Sequence, residues 1–289
     1  MRRWTCFVSA VILAMAAVSG MPAPAEPAPK RIISLIPAVT EMLFAIGAGP
    51  QLVAVSSFDH FPPDVETLPR VGALLDPDLE RILSLRPDLV IVYGSQRDLH
   101  RQLDRARIPV YPYSHAGLAD ITTTIEALGV RVGRKQAASE LARLITSRIA
   151  ATKARVAGRP RPKTLIVFGR EPLTMRGVYA SGGLGFIHDM VEAAGGANLF
   201  ADVKRQAVQA TSELILTRRP EVVLELHGSP MAPDAIRRET AVWQTMASVP
   251  AVRNGRVYLL ADARTVVPGP RVADAIELIA RTLHPGAFR

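Results

Sequence analysis

Cysteine is all but missing from this chain. The one example, Cys6, lies in the first segment, so no disulfide staples the fold and no cysteine set holds zinc. The histidines are His60, His100, His115, His188, His227 and His284, and none stands at HxH or HxxxH spacing. A multi-histidine metal site therefore has no local signature. No GxSxG marks a serine nucleophile. Ser181 sits in Ala180-Ser181-Gly182-Gly183, with no strand immediately before it. Gly182-Gly183-Leu184-Gly185 lacks the lysine of a phosphate-binding loop and the spacing of a dinucleotide fingerprint. A bilayer-spanning helix needs about 20 apolar residues. The run from Phe7 to Val18 is shorter, and no later run is long enough. Net charge is +9, but the basic residues are dispersed, with no dense cluster interleaved with aromatics, which argues against nucleic acid.

What is present is an ordinary globular composition, 48% hydrophobic and 21% charged over 289 residues. That length holds one large or two medium domains. Arg2 and Arg3, the apolar run and Ala23-Pro24-Ala25 read as a secretory signal peptide over 1–25. Cys6 precedes the apolar run, where a lipoprotein cysteine would follow it, so the reading is a soluble exported protein in the periplasm.

The stretch from Gly133 to Gly158 reads as one long helix. Leu141, Ile145 and Ile149 recur at helical spacing, Leu144 joins that stripe, and Gly158, Pro160 and Pro162 supply the stop. About 24 residues give roughly 36 Å, long enough to cross the whole molecule. On either side, short apolar strands alternate with helices. Leu89 to Tyr93 is apolar without alternation, as buried parallel strands are. A weak internal repeat aligns Glu80 to Val92 with Glu213 to Glu225 at a constant offset of 133. In each copy a helix ends, a proline stops it and an apolar strand follows. The spacing predicts two parallel-sheet α/β lobes, 31–117 and 162–289, joined by helices over 118–158. A ligand cleft should lie between them at the carboxyl ends of the strands.

The order of Ser34-Leu35-Ile36-Pro37-Ala38-Val39-Thr40-Glu41, Val53-Ala54-Val55-Ser56-Ser57, Val71-Gly72, Leu79-Glu80-Arg81 and Pro87-Asp88-Leu89-Val90-Ile91 resembles the iron-chelate and vitamin B12 periplasmic binding proteins. Val191-Glu192-Ala193 and the late Gly269-Pro270-Arg271 extend the likeness over the mature chain, closest to the vitamin B12 branch. The resemblance implies two α/β lobes on one backbone helix with modest hinge movement. It also implies a monomer that delivers a metal chelate to an inner-membrane ABC permease with its ATPase, and makes or breaks no bond. No resident cofactor or protein-held metal is implied.

By position, the resemblance puts Glu80 and Glu192, one per lobe and early in their helices, as carboxylates that dock on the permease. Phe58 and Tyr93 fall beside the ligand, and Leu74 falls where the vitamin B12 branch has a tryptophan. Ala73 stands where heme-binding relatives carry a tyrosine, which disfavours heme. His60, Tyr113, His115, Arg170, His227 and Arg264 follow predicted strand ends or loops and are further candidates to face the cleft. The expected ligand is a cobalamin-like corrinoid. An iron-siderophore is the alternative, with Arg170 and Arg264 pairing its anionic oxygens, and a periplasmic α/β hydrolytic enzyme is the rival of another class.

Overall fold

The computed structural model describes residues 27–289, so the expected signal peptide lies outside the described residues. The first lobe runs β1 (Ile32–Ser34), α1 (Pro37–Ala45), β2 (Leu52–Val55), α2 (Leu79–Ser84), β3 (Leu89–Tyr93), α3 (Arg97–Arg105) and β4 (Val110–Tyr113). Its sheet is wholly parallel, in the order β2-β1-β3-β4. Successive side chains on a strand point to opposite faces. Leu89 and Ile91 therefore enter one core, while Val90 and Val92 enter another. Both faces of β3 are covered, which is why its sequence shows no polar alternation.

Two helices follow, α4 (Ala119–Arg131) and α5 (Lys135–Val156). The 22 residues of α5 form the backbone helix, which packs on α4 toward the first lobe and on later helices toward the second. Ala138, Ala142, Ile145, Thr152 and Val156 are its buried residues, with Leu141 and Ile149 partly buried beside them. Leu144 is 56% exposed and does not join this stripe. It lies one position, about 100° of rotation, from Ile145, on the solvent side. The approach of α4 to α5 depends on Gly129, where an added Cβ would meet the Cβ of Ala138 at 2.2 Å.

The second lobe comprises β5 (Lys163–Gly169), β6 (Tyr179–Ser181), α6 (Phe186–Ala193), β7 (Ala197–Asn198), β8 (Ala207–Gln209), α7 (Ser212–Arg218), β9 (Val222–His227), α8 (Pro233–Ala241), α9 (Pro250–Arg253), β10 (Val257–Ala261) and α10 (Val272–Leu283). Its sheet runs β10-β9-β5-β6-β8, with β7 beside β5. The β10, β9 and β5 strands are parallel, as expected, but β6 and β8 add an antiparallel edge. The connection 170–178 is too short for the crossover of a dozen or more residues that a parallel neighbour requires, so the chain turns straight back.

The internal repeat has a structural counterpart. Arg86 and Arg219 correspond at the offset of 133, and both take the left-handed conformation, with φ of 47° and 53°. Each closes the end of its helix immediately before a proline that stands two residues ahead of the next strand. Asp88 and Glu221 also correspond. Asp88 accepts the backbone N–H groups of Lys30 and Arg31, both at 2.8 Å, and Glu221 accepts that of Lys163 at 2.8 Å. In each lobe a carboxylate at the foot of one strand thus ties down the start of its neighbour.

Candidate ligand cleft

The carboxyl ends of the parallel strands carry the candidate site. In the first lobe, Phe58 on the loop after β2, Leu74, and Tyr93 at the end of β3 line a hollow of about 390 Å³ with Leu35, Pro37 and Ala73. Phe58 is 68% exposed and Leu75 at the rim is 93% exposed, an unusual display of apolar surface. In the second lobe a hollow of about 260 Å³ is lined by Phe168, Leu184, Phe186 and Gln206, together with His115 of the first lobe. A ladder of rings joins the two. Tyr93 meets Tyr113 edge to face at 5.9 Å between centroids, Tyr113 meets His115 at 5.5 Å, and His115 meets Phe186 edge to face at 5.7 Å. Such contacts contribute about 0.5–1.5 kcal/mol each beyond buried area.

The lobes are also tied by polar contacts. Arg271, at the start of α10, donates from Nε and Nη2 to the two carboxylate oxygens of Glu41 in α1, at 2.9 and 2.5 Å. Its guanidinium lies over the ring of Phe61, 3.8 Å from the centroid. Asp189 in the first turn of α6 accepts the backbone N–H of Leu118, at the start of α4, at 2.8 Å. Beneath the first-lobe hollow, Asp59 is fully buried. Its Oδ2 accepts Ser56 N–H at 2.9 Å and the Ser56 hydroxyl, while Oδ1 has no hydrogen-bond partner among the described residues. Burial pushes the carboxyl of Asp59 above its usual range, and that of Glu41 also, in spite of Arg271. Burial likewise raises the phenols of Tyr93 and Tyr113 and lowers the His115 imidazole, so His115 is neutral at pH 7.

The structure brings Phe58, Leu74 and Tyr93 together in one hollow, with Tyr113 and His115 behind them. It does not bring the cations there, and this corrects the expectation for Arg170. That guanidinium is 3% exposed and is clasped by Glu225 and Glu239, and its remaining N–H groups go to the carbonyls of Glu171 and Thr174. No donor is left for a ligand. Arg264 forms a paired contact with Asp262, whose carboxyl it holds below the usual range, so its charge is largely offset. His60 is outside both hollows, 77% exposed, with its Nδ1 3.5 Å from Glu66. His227 ends β9 half-buried and lines neither hollow.

Of the docking candidates, Glu80 lies exposed in the first turn of α2. Glu192 differs from expectation. It occupies the last turn of α6, its carboxylate pairs with Arg161, and it accepts Asn198 N–H at 3.0 Å. A carboxylate so engaged is tied into its own lobe. The repeat partner of Glu80 in the second lobe is Glu213, exposed in the first turn of α7. Sequence reasoning gave no role to Phe168, Leu184 or Phe186. The available signal was their position, at a strand end and around Gly185 at the opening of a helix.

Ser181 is buried, and its hydroxyl donates to the Gly182 carbonyl at 3.1 Å. Among the described residues no group of three or more His, Cys, Asp or Glu could hold a metal ion, and no helix is long and apolar enough to cross a membrane.

A profile of the periplasmic binding protein family matches residues 32–263. The chain is 30% identical over 258 residues to a vitamin B12-binding protein of Pectobacterium atrosepticum, covering 86% of each chain. It is 27% identical over 268 residues to an uncharacterised ABC transporter substrate-binding lipoprotein of Bacillus subtilis, covering 90% of this chain and 82% of that one. The structure of a periplasmic heme-binding protein from Roseiflexus superposes with a TM-score of 0.76 at 25% identity, over 89% of this chain and 99% of the other. Relatives named for different chelates thus share one fold.

Proposed function

The chain belongs to the periplasmic binding protein family, and from that premise we propose that it is the monomeric receptor of an ABC importer for a cobalamin-like corrinoid. The observation that carries the choice of ligand is the mismatch between the cleft's walls and its charges. The walls are apolar and aromatic, with Phe58, Leu74 and Tyr93 on one side and Phe168 and Phe186 on the other. Arg170 is consumed internally and Arg264 is paired. An anionic siderophore would be desolvated against these walls, with neither of these two guanidinium groups free to receive it. A flat corrinoid with a neutral amide rim presents its ring to the aromatic faces and its amides to the wetter edge. Leu74 supplies apolar area but no indole, so the stacking falls to Phe58 and Tyr93.

The ligand is held and released unchanged, and delivery requires contact with a permease. Glu80 and Glu213 each present an exposed carboxylate from the first turn of equivalent helices, which supports them as the docking pair. Export to the periplasm rests on the segment 1–25. The test of ligand class is isothermal titration of the purified protein with cyanocobalamin, hemin and a ferric siderophore. One site per chain for cyanocobalamin, with the others weak, is the expected result. Tight binding of the siderophore or hemin alone overturns the reading.

A further inference from the structure

We propose that His115 is an axial metal ligand for chelates that enter the cleft with an open coordination position. This rests on the cleft being a chelate site. No cluster among the described residues can hold a bare ion. A metal that arrives already held in the plane of a macrocycle needs only one further donor, and a single imidazole supplies it.

His115 is placed for that task in three respects. It follows β4 at its carboxyl end and lines the hollow otherwise formed by second-lobe residues. Its ring is fixed from both lobes, by Tyr113 at 5.5 Å and Phe186 at 5.7 Å, so little side-chain freedom remains to be lost when a ligand arrives. Neither ring nitrogen has a hydrogen-bond partner among the described residues. The other histidines contrast with it. His60 faces Glu66, His100 the carbonyl of Tyr93, His188 the amide of Asn198, and His284 the carbonyl of Gly195. His227 has no hydrogen-bond partner among the described residues either, but it lines neither hollow. A neutral imidazole always keeps one unprotonated nitrogen, and at His115 no protein donor occupies it.

The consequence is a division among ligands. Cyanocobalamin, with both axial positions filled, is held by the walls alone. A corrinoid with exchangeable axial water gains a cobalt–nitrogen bond, in which His115 gives its lone pair to cobalt and one water leaves, with no change of oxidation state.

The experiment titrates wild type, His115→Ala and His227→Ala with diaquacobinamide and with cyanocobalamin, following visible absorption and heat. In wild type and His227→Ala, bound diaquacobinamide should show visible bands shifted from those of the free compound. In His115→Ala the shift should vanish, and affinity for diaquacobinamide should fall roughly tenfold or more beyond whatever cyanocobalamin loses with that piece of wall, while His227→Ala binds both corrinoids as wild type does. Cyanocobalamin binding without any shift for diaquacobinamide overturns the assignment alone. A shift that survives in His115→Ala and disappears in His227→Ala does so too, and names the other histidine. Failure of both corrinoids to bind overturns the corrinoid reading itself, and this assignment with it.

Discussion

Glu41 and Arg271, 230 positions apart in the chain, meet in a two-pronged ion pair that spans the lobes. Glu41 is 4% exposed and Arg271 22% exposed at the side chain. Removing one member of such a pair leaves the other buried without a partner, at a cost of about 3–5 kcal/mol. Arg271→Ala should therefore lower the stability measured by urea unfolding at pH 7 by about that amount. The loss should shrink in mild acid, because Glu41 then takes up a proton. The double variant Glu41→Gln with Arg271→Met should recover most of it, since neither remaining side chain carries charge.

Asp59 predicts a pH dependence of the opposite sense from an ordinary ion-paired acid. Its folded-state carboxyl titrates above the reference value of 3.8, because burial disfavours the charged form. As pH falls, the folded protein binds this proton before the unfolded chain does. Its contribution to stability therefore rises as pH drops through the raised folded value and levels off below the unfolded one. Melting temperatures of wild type and Asp59→Asn between pH 7 and 4 should diverge in that window, with wild type gaining relative to the variant. Parallel curves would mean that Asp59 is not buried as found.

Arg170 separates support from recognition. Arg170→Met leaves Glu225, 1% exposed, without its partner. Stability should fall by about 3–5 kcal/mol. Affinity for cyanocobalamin, measured where the variant is still folded, should change less than twofold. A selective loss of affinity would return Arg170 to the cleft.

Tyr93 and Phe58 predict the converse. Phe58 is largely exposed, so truncating it should hardly move the melting temperature, whereas truncating half-buried Tyr93 also gives up its edge contact with Tyr113 and should lower it modestly. Ligand affinity should drop several-fold for each, as the loss of about 0.5–1.5 kcal/mol per aromatic contact plus buried area dictates. An unchanged binding isotherm for both would place the ligand elsewhere.

Delivery is tested by three carboxylates. Glu80→Ala with Glu213→Ala should bind ligand normally yet fail to stimulate the importer's ATPase in reconstituted vesicles, because charges at an interface set encounter and orientation. Glu192→Ala should retain stimulation and lose some stability, since it frees Arg161 and the N–H of Asn198. Full stimulation by the double variant would end the docking assignment.

The elements that depend on local pattern were legible in the sequence. The run of β3, the Pro-bounded ends of α2 and α7, and the length of α5 follow from periodicity and stop residues that act over a few positions. Arg170 was not legible as a buried ion-pair partner, because Glu225 and Glu239 reach it only through tertiary structure. A hint existed in Val222-Val223-Leu224-Glu225-Leu226, where a carboxylate within a buried strand demands a cation. Glu192 was misread for a related reason. Its motif was recognised, but the turn of the helix it would occupy and the arrival of Arg161 were not. The strands β6 and β8 of the antiparallel edge are three residues each, too short to show a strand period in the sequence.

The core that begins with Ile32 and Leu89 does not stop at the lobe's edge. It continues through Leu128 of α4 and Ile145 of α5 to Ile166, Met190 and Ile279 of the second lobe. Bending between the lobes would shear close-packed side chains, which resist volume change. Heat should accordingly melt the molecule in one cooperative transition, with neither half surviving the other. The receptor meets its ligand as a nearly rigid seat, and the time a ligand spends there is set by its contacts with the walls rather than by a closing gate.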